Sequence, residues 1–151
     1  MVRRTLEISR RQALVLAGGG AAALLTPATL AHATGNDLRD GMRALAGKIF
    51  YTTDRPGRWK GKENSHSPMI KVDKKGGDVL VRAATQHGMS GTHYIIKHIL
   101  LDGELNFVKE QIFDKTFDNP RSRFELNDYS GRLFVVSICN QHDNWINWSE
   151  V

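Results

Sequence analysis

The sequence predicts an all-β sandwich, preceded by a cleavable signal peptide and one short helix. Beyond residue 68 the chain consists of short segments rich in Val, Ile, Leu and Phe, separated by turn sequences about every ten residues. Phe124 and Leu126 alternate with charged and polar residues, as in a half-buried strand. The segment 133–139 is apolar on both faces apart from Ser137, which is typical of a central strand.

Residues 1–33 have the features of a twin-arginine signal peptide. Arg10 and Arg11 lie in the sequence Ser-Arg-Arg-Gln-Ala-Leu, an apolar run rich in Ala and Gly follows, and small residues around Ala31 supply a cleavage point. A retained membrane anchor is the alternative, but glycines and Pro27 interrupt the run, which is short for a membrane span. We therefore expect cleavage and export of a folded protein to the periplasm.

The formal charge of +5 comes largely from this N-terminal segment. Removing residues 1–33 takes away four arginines and one glutamate, which lowers the charge to +2. The basic pI is therefore no evidence for binding to nucleic acid, and we expect no nucleic-acid partner. The remaining chain, residues 34–151, is long enough for one small domain with a single core.

One helix and six strands are predicted in this domain. Asn36 is expected to cap a short helix in which Leu38, Met42 and Leu45 recur at helical spacing and which ends at Gly47. A polar loop separates this helix from the strands. The strands are predicted, with turns at 75–78 and 102–103, over residues 69–73, 79–85, 93–101, 104–113, 123–127 and 133–139.

The only cysteine, Cys139, lies at the end of the last predicted strand, and His142 follows three residues later. A sole cysteine cannot form an internal disulfide, so its thiolate is free to bind a metal. His66, His87 and His93 are predicted in loops or at strand ends, where functional residues usually lie on a rigid scaffold. One sulfur with four imidazole nitrogens suits a redox iron or copper ion better than calcium or magnesium.

His98 is predicted to have a structural role. In a strand that begins at His93, alternation places His98 on the face of Tyr94, Ile96 and Leu100, opposite His93. A packed or surface histidine is therefore a better interpretation than a metal ligand.

The five donor residues together resemble the iron domain of the superoxide reductases, which include the neelaredoxins and the C-terminal domain of the desulfoferrodoxins. The first ligand histidine of that family is followed by one residue and a proline, as in His66-Ser67-Pro68. Two further ligands lie six residues apart ahead of an aromatic and aliphatic strand, as His87 and His93 do. The family motif Cys-Asn-x-His-Gly-x-Trp resembles residues 139–145, in which Asp143 replaces the usual glycine. The similarity spans about residue 48 to the C-terminus.

The resemblance implies an immunoglobulin-like β-sandwich and a mononuclear ferrous ion. The implied ligands are His66, His87, His93 and His142 around the ion, with Cys139 as the axial thiolate. The implied reaction is the one-electron reduction of superoxide to hydrogen peroxide, which makes the protein an oxidoreductase. Some family members carry a rubredoxin-like domain with four cysteines, whereas this sequence has one cysteine. We therefore expect a separate electron donor, rubredoxin-like or a cytochrome, and we leave a homo-oligomer open.

The chain departs from the family just before the first ligand. Many members carry Glu-Lys directly before that histidine, where the Lys attracts superoxide and the Glu can occupy the vacant position on ferric iron. Here Ser65 precedes His66, and Lys62 and Glu63 form a similar pair in reversed order and further away. We expect Lys62, or else Lys60, to steer the anion over the open side of the site. The alternative is a solvated charged loop with no role in the reaction.

Three other functions compete with this interpretation. A cupredoxin-like electron carrier uses two His, one Cys and usually a Met after the last His, but no Met follows His142. A structural zinc site normally has more thiolates and only four ligands. A non-catalytic, iron-binding descendant of the family remains open. A nucleophilic pair of Cys139 and His142 is set aside, because residues three apart at a strand end rarely face each other.

Overall fold

The computed structural model describes residues 35–116 and 118–151, which are mainly β-strand. The predicted all-β class is confirmed, whereas the predicted signal peptide over residues 1–33 lies outside the described residues. Within the described part, no helix has the length and hydropathy of a membrane-spanning segment. The elements are α1 (Gly35–Leu45), β1 (Phe50–Tyr51), a 3-10 turn (Gly57–Trp59), α2 (Glu63–His66), β2 (Met69–Lys75), β3 (Asp78–Ala84), β4 (Ile95–Leu101), β5 (Phe107–Ile112), β6 (Arg121–Asn127), β7 (Arg132–Cys139) and β8 (Asp143–Glu150).

The strands form two sheets. One has the order β1-β8-β7-β4-β5 and the other the order β2-β3-β6. Strand β1 pairs in parallel with β8, and the other pairs are antiparallel. Without β1, this order corresponds to strands G-F-C-C′ facing strands A-B-E in immunoglobulin-like sandwiches.

The core lies between the two sheets. Val79, Val81 and Ala83 of β3 pack with Leu133 and Val135 of β7 and with further apolar side chains of β4 and β6. Burial alternates strictly along β7, which lies between β4 and β8 in its sheet. The predicted central position of this strand is therefore correct. Its buried residues continue the same face to Cys139, so the strand carries the thiol to the edge of the core.

The sequence prediction missed β1 and β8. Strand β8 contains Asp143, Asn144, Asn147 and Ser149, which have low strand propensity, so its pattern resembles a loop. Its pairing with β7, residue by residue from Cys139 opposite Asp143, overrides that local preference. Strand β1 has only two residues and depends on its pairing with β8.

The hairpin between β4 and β5 is longer than predicted. The expected two-residue turn at 102–103 is a loop in which the Asp102 carboxylate accepts hydrogen bonds from the backbone N–H groups of Glu104 and Asn106. Leu105 adopts a positive φ of 69° there. Asp102 therefore closes the loop through its side chain, and β5 begins three residues later than predicted, at Phe107.

A β-bulge in β4 changes the predicted alternation around His98. Ile95 pairs with Cys139 and Lys97 pairs with the neighbouring Ile138. Ile96 is therefore an extra residue in β4 between two consecutive pairs with β7. Ile95, His98 and Leu100 are consequently all buried, and Ile96 is not. The expected grouping of His98 with Ile96 was wrong. The expected packed role of His98 agrees with a side chain that is 0% exposed.

His98 is the centre of a buried hydrogen-bond network between the sheets. Its Nε2 lies 2.9 Å from Thr85 Oγ1 and its Nδ1 lies 2.9 Å from Ser122 Oγ. Thr85 Oγ1 also donates to Ser137 Oγ at 2.9 Å. One neutral tautomer satisfies all these groups: Nε2–H donates to Thr85, and Ser122 donates to Nδ1. Thr85 and Ser137 each lie two positions before a predicted metal ligand, so the network joins the two strand ends beneath the site.

This network predicts a pH-dependent stability. Burial lowers the pKa of His98 to about 4 from its ordinary value of 6.5. Between these pH values His98 is protonated in the unfolded chain but neutral in the folded protein. The free energy of unfolding should therefore fall as the pH drops from about 6.5 to about 4, with a contribution of about 3 kcal/mol from His98.

Urea unfolding of the metal-free protein over this pH range measures the effect. His98→Gln is the matched variant, because glutamine retains a donor and an acceptor but does not titrate. The other histidines contribute equally to both proteins, so the expected result is a shallower pH slope for the variant. Equal slopes would contradict a buried neutral His98.

Candidate metal centre

His66 is held by the one-turn helix α2. The Ser67 N–H donates to the Glu63 carbonyl at 2.9 Å, which closes the turn and buries the imidazole to 2% exposure. His66 Nδ1 lies 3.1 Å from the Lys62 carbonyl oxygen and 2.7 Å from Ser65 Oγ. A carbonyl can only accept, so it favours the proton on Nδ1 and leaves the Nε2 lone pair free for a metal.

His87 and His93 lie on the loop between β3 and β4. The His87 N–H donates to the Thr85 carbonyl at 2.8 Å, which fixes the start of the loop. Ser90 closes the other end: its Oγ donates to the His93 carbonyl at 2.9 Å and accepts from the His93 N–H at 3.0 Å. Each histidine is therefore positioned by its own backbone.

Cys139 and His142 belong to the hairpin between β7 and β8. Asn140 joins this hairpin to the His93 loop, because its amide donates to the Thr92 carbonyl at 2.8 Å and accepts from the Tyr94 N–H at 2.9 Å. The Gln141 N–H points at the Cys139 sulfur at 3.4 Å. This hairpin thus brings the thiol, a backbone donor to that thiol and one imidazole to the same place.

Trp145 supports the site from below. Its side chain is fully buried, and its Nε1–H donates to the His142 carbonyl at 2.9 Å. The indole also lies against the His66 ring, with ring centroids 5.9 Å apart. Trp145 of β8 therefore contacts two of the predicted ligand residues, His142 in the turn before β8 and His66 at the end of α2.

The structure brings the predicted donor atoms together. His66, His87, His93 and Cys139 each offer one atom, and these four atoms lie within 4.8 Å of one another. His66 Nε2 is 3.0 Å from His142 Nδ1, which is 2.9 Å from His93 Nε2. His93 Nε2 is in turn 3.0 Å from His87 Nε2. The Cys139 sulfur lies 3.7 Å from His142 Nδ1.

These spacings fit a single metal ion. For metal–nitrogen bonds of about 2.1 Å, neighbouring nitrogens at right angles are about 3.0 Å apart, whereas a tetrahedral arrangement separates them by about 3.4 Å. The three nitrogen–nitrogen distances of 2.9–3.0 Å are compatible with ligands at right angles. Soft sulfur with imidazole nitrogen is the donor chemistry of iron, copper and zinc.

The electrostatics of the site favour the neutral form of three of its imidazoles. Burial, followed by repulsion from a protonated His87, lowers the pKa of His66 to about 4. Burial and then the charge of His93 lower the pKa values of both His87 and His142. Metal binding requires unprotonated imidazole nitrogen, so these shifts favour metal binding near neutral pH.

Lys62 lines a cavity of about 360 Å³ beside the histidines, together with Ser65, His66, residues 86–90 and His93. Cys139 is not among the residues that line this cavity. The charge of Lys62 contributes, after burial and His93, to the lowered pKa values of His87 and His142, so Lys62 lies close to these two imidazoles. The cavity is therefore an approach to the imidazoles with a cation at its border.

Glu63 does not line this cavity. Backbone N–H groups of Glu63 and Gly61 donate to its carboxylate and lower its pKa. The structure thus brings Lys62, but not Glu63, to the open side of the histidine cluster.

One geometric expectation was wrong. Cys139 and His142 do face each other, because the tight hairpin turn folds the chain back within three residues. The turn depends on Asp143, whose φ of 59° lies in the left-handed region where glycine is usual and aspartate is tolerated. Its carboxylate accepts hydrogen bonds from Arg58 and from Trp59 Nε1–H. No spacing pattern in the sequence indicates these two contacts.

Comparisons with known proteins agree with this arrangement. The Desulfoferrodoxin family model matches residues 58–148, which is more than half of the chain. A search of the curated proteins finds no significant match.

Solved structures of superoxide reductases have a similar fold. A variant of the superoxide reductase (neelaredoxin) from Ignicoccus hospitalis is 26% identical, with a TM-score of 0.61, over 70% of this chain and 94% of that one. A superoxide reductase in the oxidised state is 25% identical, with a TM-score of 0.56, over 69% and 97%. A variant of the Archaeoglobus fulgidus neelaredoxin is 24% identical and has a TM-score of 0.58, over 69% and 98%, which supports the fold alone.

The resemblance first seen in the spacing of the histidines and the cysteine is therefore confirmed by the family match, the fold and the gathered donor atoms. The chain belongs to the desulfoferrodoxin family.

Proposed function

We propose that this protein is an exported superoxide reductase with one iron per chain. The proposed ligands are the imidazoles of His66, His87, His93 and His142 and the thiolate of Cys139. The observation that carries the proposal is the row of four imidazole nitrogens at 2.9–3.0 Å spacing beside the only sulfur donor. Iron held by these residues would supply one electron to superoxide, which with two protons gives hydrogen peroxide.

The protein residues set the charge and the electron donation at this site. Four neutral imidazoles add no charge, and one thiolate adds a single negative charge. A thiolate donates electron density along its axis to the opposite position, as in thiolate-ligated haem. The Gln141 N–H at 3.4 Å from the sulfur withdraws part of that density and so tunes the potential. The cavity that Lys62 lines offers the anion an approach to the histidines, and Cys139 does not line this cavity.

The donor set favours iron over the metals of competing functions. The four imidazole nitrogens gathered here exceed the two that a cupredoxin uses beside its cysteine. A structural zinc site normally has four ligands and more thiolates, whereas four imidazoles and one sulfur gather here. A non-catalytic iron protein is the second candidate, because Glu63 lies away from the cavity. Pulse radiolysis of the iron-loaded protein decides: absence of a fast reaction with superoxide leaves only that candidate.

Lys62 is the cation proposed to attract superoxide to this cavity. Lys62→Ala should lower the second-order rate with superoxide at low ionic strength by about threefold to tenfold, since steering by nearby charge acts on the association rate. The rate of the variant should also depend less on salt, because one attractive charge is missing.

Lys60→Ala is the matched control, since Lys60 lies two residues away and does not line the cavity. The rate of this control should remain close to that of the unchanged protein. If both variants react at the original rate and with the original salt dependence, Lys62 has no role in steering.

Export and electron supply complete the proposal. A twin-arginine route carries folded proteins, so residues 34–151 can acquire iron before they cross to the periplasm. Fractionation of cells that express the Arg10→Lys, Arg11→Lys double variant tests this, and retention in the cytoplasm is the expected result. We propose a separate rubredoxin-like protein or a cytochrome as the electron donor. Size-exclusion chromatography tests whether several copies assemble.

A further inference from the structure

Asp143 connects the metal hairpin to the segment before α2. Its carboxylate accepts from Trp59 Nε1–H at 2.8 Å and also pairs with Arg58. The Arg58 side chain is 64% exposed and that of Asp143 is 35% exposed. An exposed ion pair of this kind contributes little, whereas the partly buried hydrogen bond from the indole to a carboxylate is stronger and directional.

The Trp59 side of this connection is fixed by packing. Trp59 ends the 3-10 turn, and its N–H donates to the Pro56 carbonyl at 2.9 Å. Gly57 in the same turn has a φ of 49° and packs so closely on Gly47 that a Cβ atom would collide with the Gly47 carbonyl. The indole therefore projects from a turn that has little freedom to move.

The Trp59 ring contacts His142 directly. The ring centroids are 4.6 Å apart and the planes meet at 84°, an edge-to-face arrangement. His142 differs from His66, because no hydrogen bond joins its Nε2 to the residues that the structure describes. A ligand histidine is usually oriented by a partner on its outer nitrogen. At His142 the edge-to-face contact with Trp59 serves as the orienting partner instead.

We infer that Asp143 is a positioning residue which, through the Trp59 indole, orients the His142 ring so that Nδ1 faces the other donor atoms. The inference rests on the proposed metal site and goes beyond it, since it assigns a role to the aspartate that replaces the family's usual glycine. Asp143 itself touches neither the other imidazoles nor the sulfur. In this proposal its influence on the orientation of the His142 ring passes through Trp59.

Four variants separate the hydrogen bond from the ion pair and from the backbone. Asp143→Gly retains the left-handed turn but removes the acceptor, and Trp59→Phe retains an aromatic edge but removes the donor. Asp143→Asn retains an acceptor oxygen and tolerates the positive φ. Arg58→Ala removes the ion pair and the guanidinium that lies 4.9 Å from the centroid of the Trp59 ring, but it leaves both partners of the indole–carboxylate hydrogen bond in place. The probe is cobalt(II), whose affinity for the full-length metal-free protein is measured by competition with a chelator.

Asp143→Gly and Trp59→Phe should each weaken cobalt binding by about tenfold, as for loss of an outer partner of a metal ligand. Asp143→Asn should restore most of this loss, and Arg58→Ala should bind as the unchanged protein does. Melting temperatures of the metal-free variants provide the structural control. The inference is overturned if Asp143→Gly and Trp59→Phe bind normally, if Arg58→Ala weakens binding as much as they do, or if the loss of affinity follows the loss of melting temperature.

The readout also separates this inference from the proposed function. A protein that binds cobalt with the expected order of variants, but does not reduce superoxide when loaded with iron, retains the role of Asp143 and loses the reductase activity. If the iron-loaded protein reduces superoxide but Asp143→Gly and Trp59→Phe bind cobalt normally, the proposed function stands and the role of Asp143 is lost.

Discussion

Cys139→Ser is expected to abolish the thiolate-to-iron absorption of the oxidised protein and to lower its rate with superoxide by at least about a hundredfold. The sulfur is the only thiol in the chain, so nothing else can supply this band. Serine occupies a similar space and keeps a polar atom at the position, but its hydroxyl does not ionise at neutral pH and donates far less electron density than a thiolate. The spectrum and the rate of the iron-loaded variant are the measurements.

The matched control for this variant is Met89→Leu. Met89 packs against the cluster that contains Cys139, and its sulfur accepts from the Ile95 N–H at 3.4 Å. Leucine conserves the volume. The control should retain both the band and the rate. A Cys139→Ser protein that keeps its charge-transfer band would show that the sulfur is not a ligand.

His142→Ala is expected to weaken iron binding by at least about a hundredfold, because it removes a direct ligand rather than an outer partner. The four atoms of His66, His87, His93 and Cys139 would still lie together, so this variant tests whether the site has a fifth protein donor. His142 Nδ1 lies 3.0 Å or less from the nitrogens of both His66 and His93, which places it within the same cluster. Affinity is measured by chelator competition with iron(II).

Two further experiments make the His142 result specific. His98→Gln changes a histidine that is bonded to Thr85 and Ser122 instead of the donor cluster, and it should leave iron affinity unchanged. Free imidazole should partly restore binding to His142→Ala, because His142 is only partly buried and its removal opens a space to solvent. Full affinity of His142→Ala without imidazole would reduce the site to three histidines and one cysteine.

The metal cluster could be predicted from the sequence because four of its five residues lie at strand ends or in the turns that join them, whereas His66 ends α2. His87 follows β3, His93 precedes β4 and Cys139 ends β7, and the sandwich brings these ends together. A recognisable spacing is therefore enough to group the donors. The packed role of His98 was also foreseen, although the β4 bulge that decides its neighbours was not. A bulge depends on pairing with β7, which local alternation does not contain.

The surroundings of the cluster could not be predicted, since they depend on contacts between distant segments. Trp59 and Asp143 are 84 positions apart, and nothing in the polar loop indicates their hydrogen bond. The different directions of Lys62 and Glu63 follow from the start of the one-turn helix α2, where successive side chains point about 100° apart. Strand β8 was missed for a similar reason, because its pairing with β7 outweighs its polar composition.

Metal analysis together with the visible spectrum of the oxidised protein tests the central claim most directly. The expected result is about one iron per chain with a thiolate-to-ferric charge-transfer band, both of which require Cys139 and the histidine cluster at a single ion. Stoichiometric copper with an intense blue band, or iron without a thiolate band, would contradict this account.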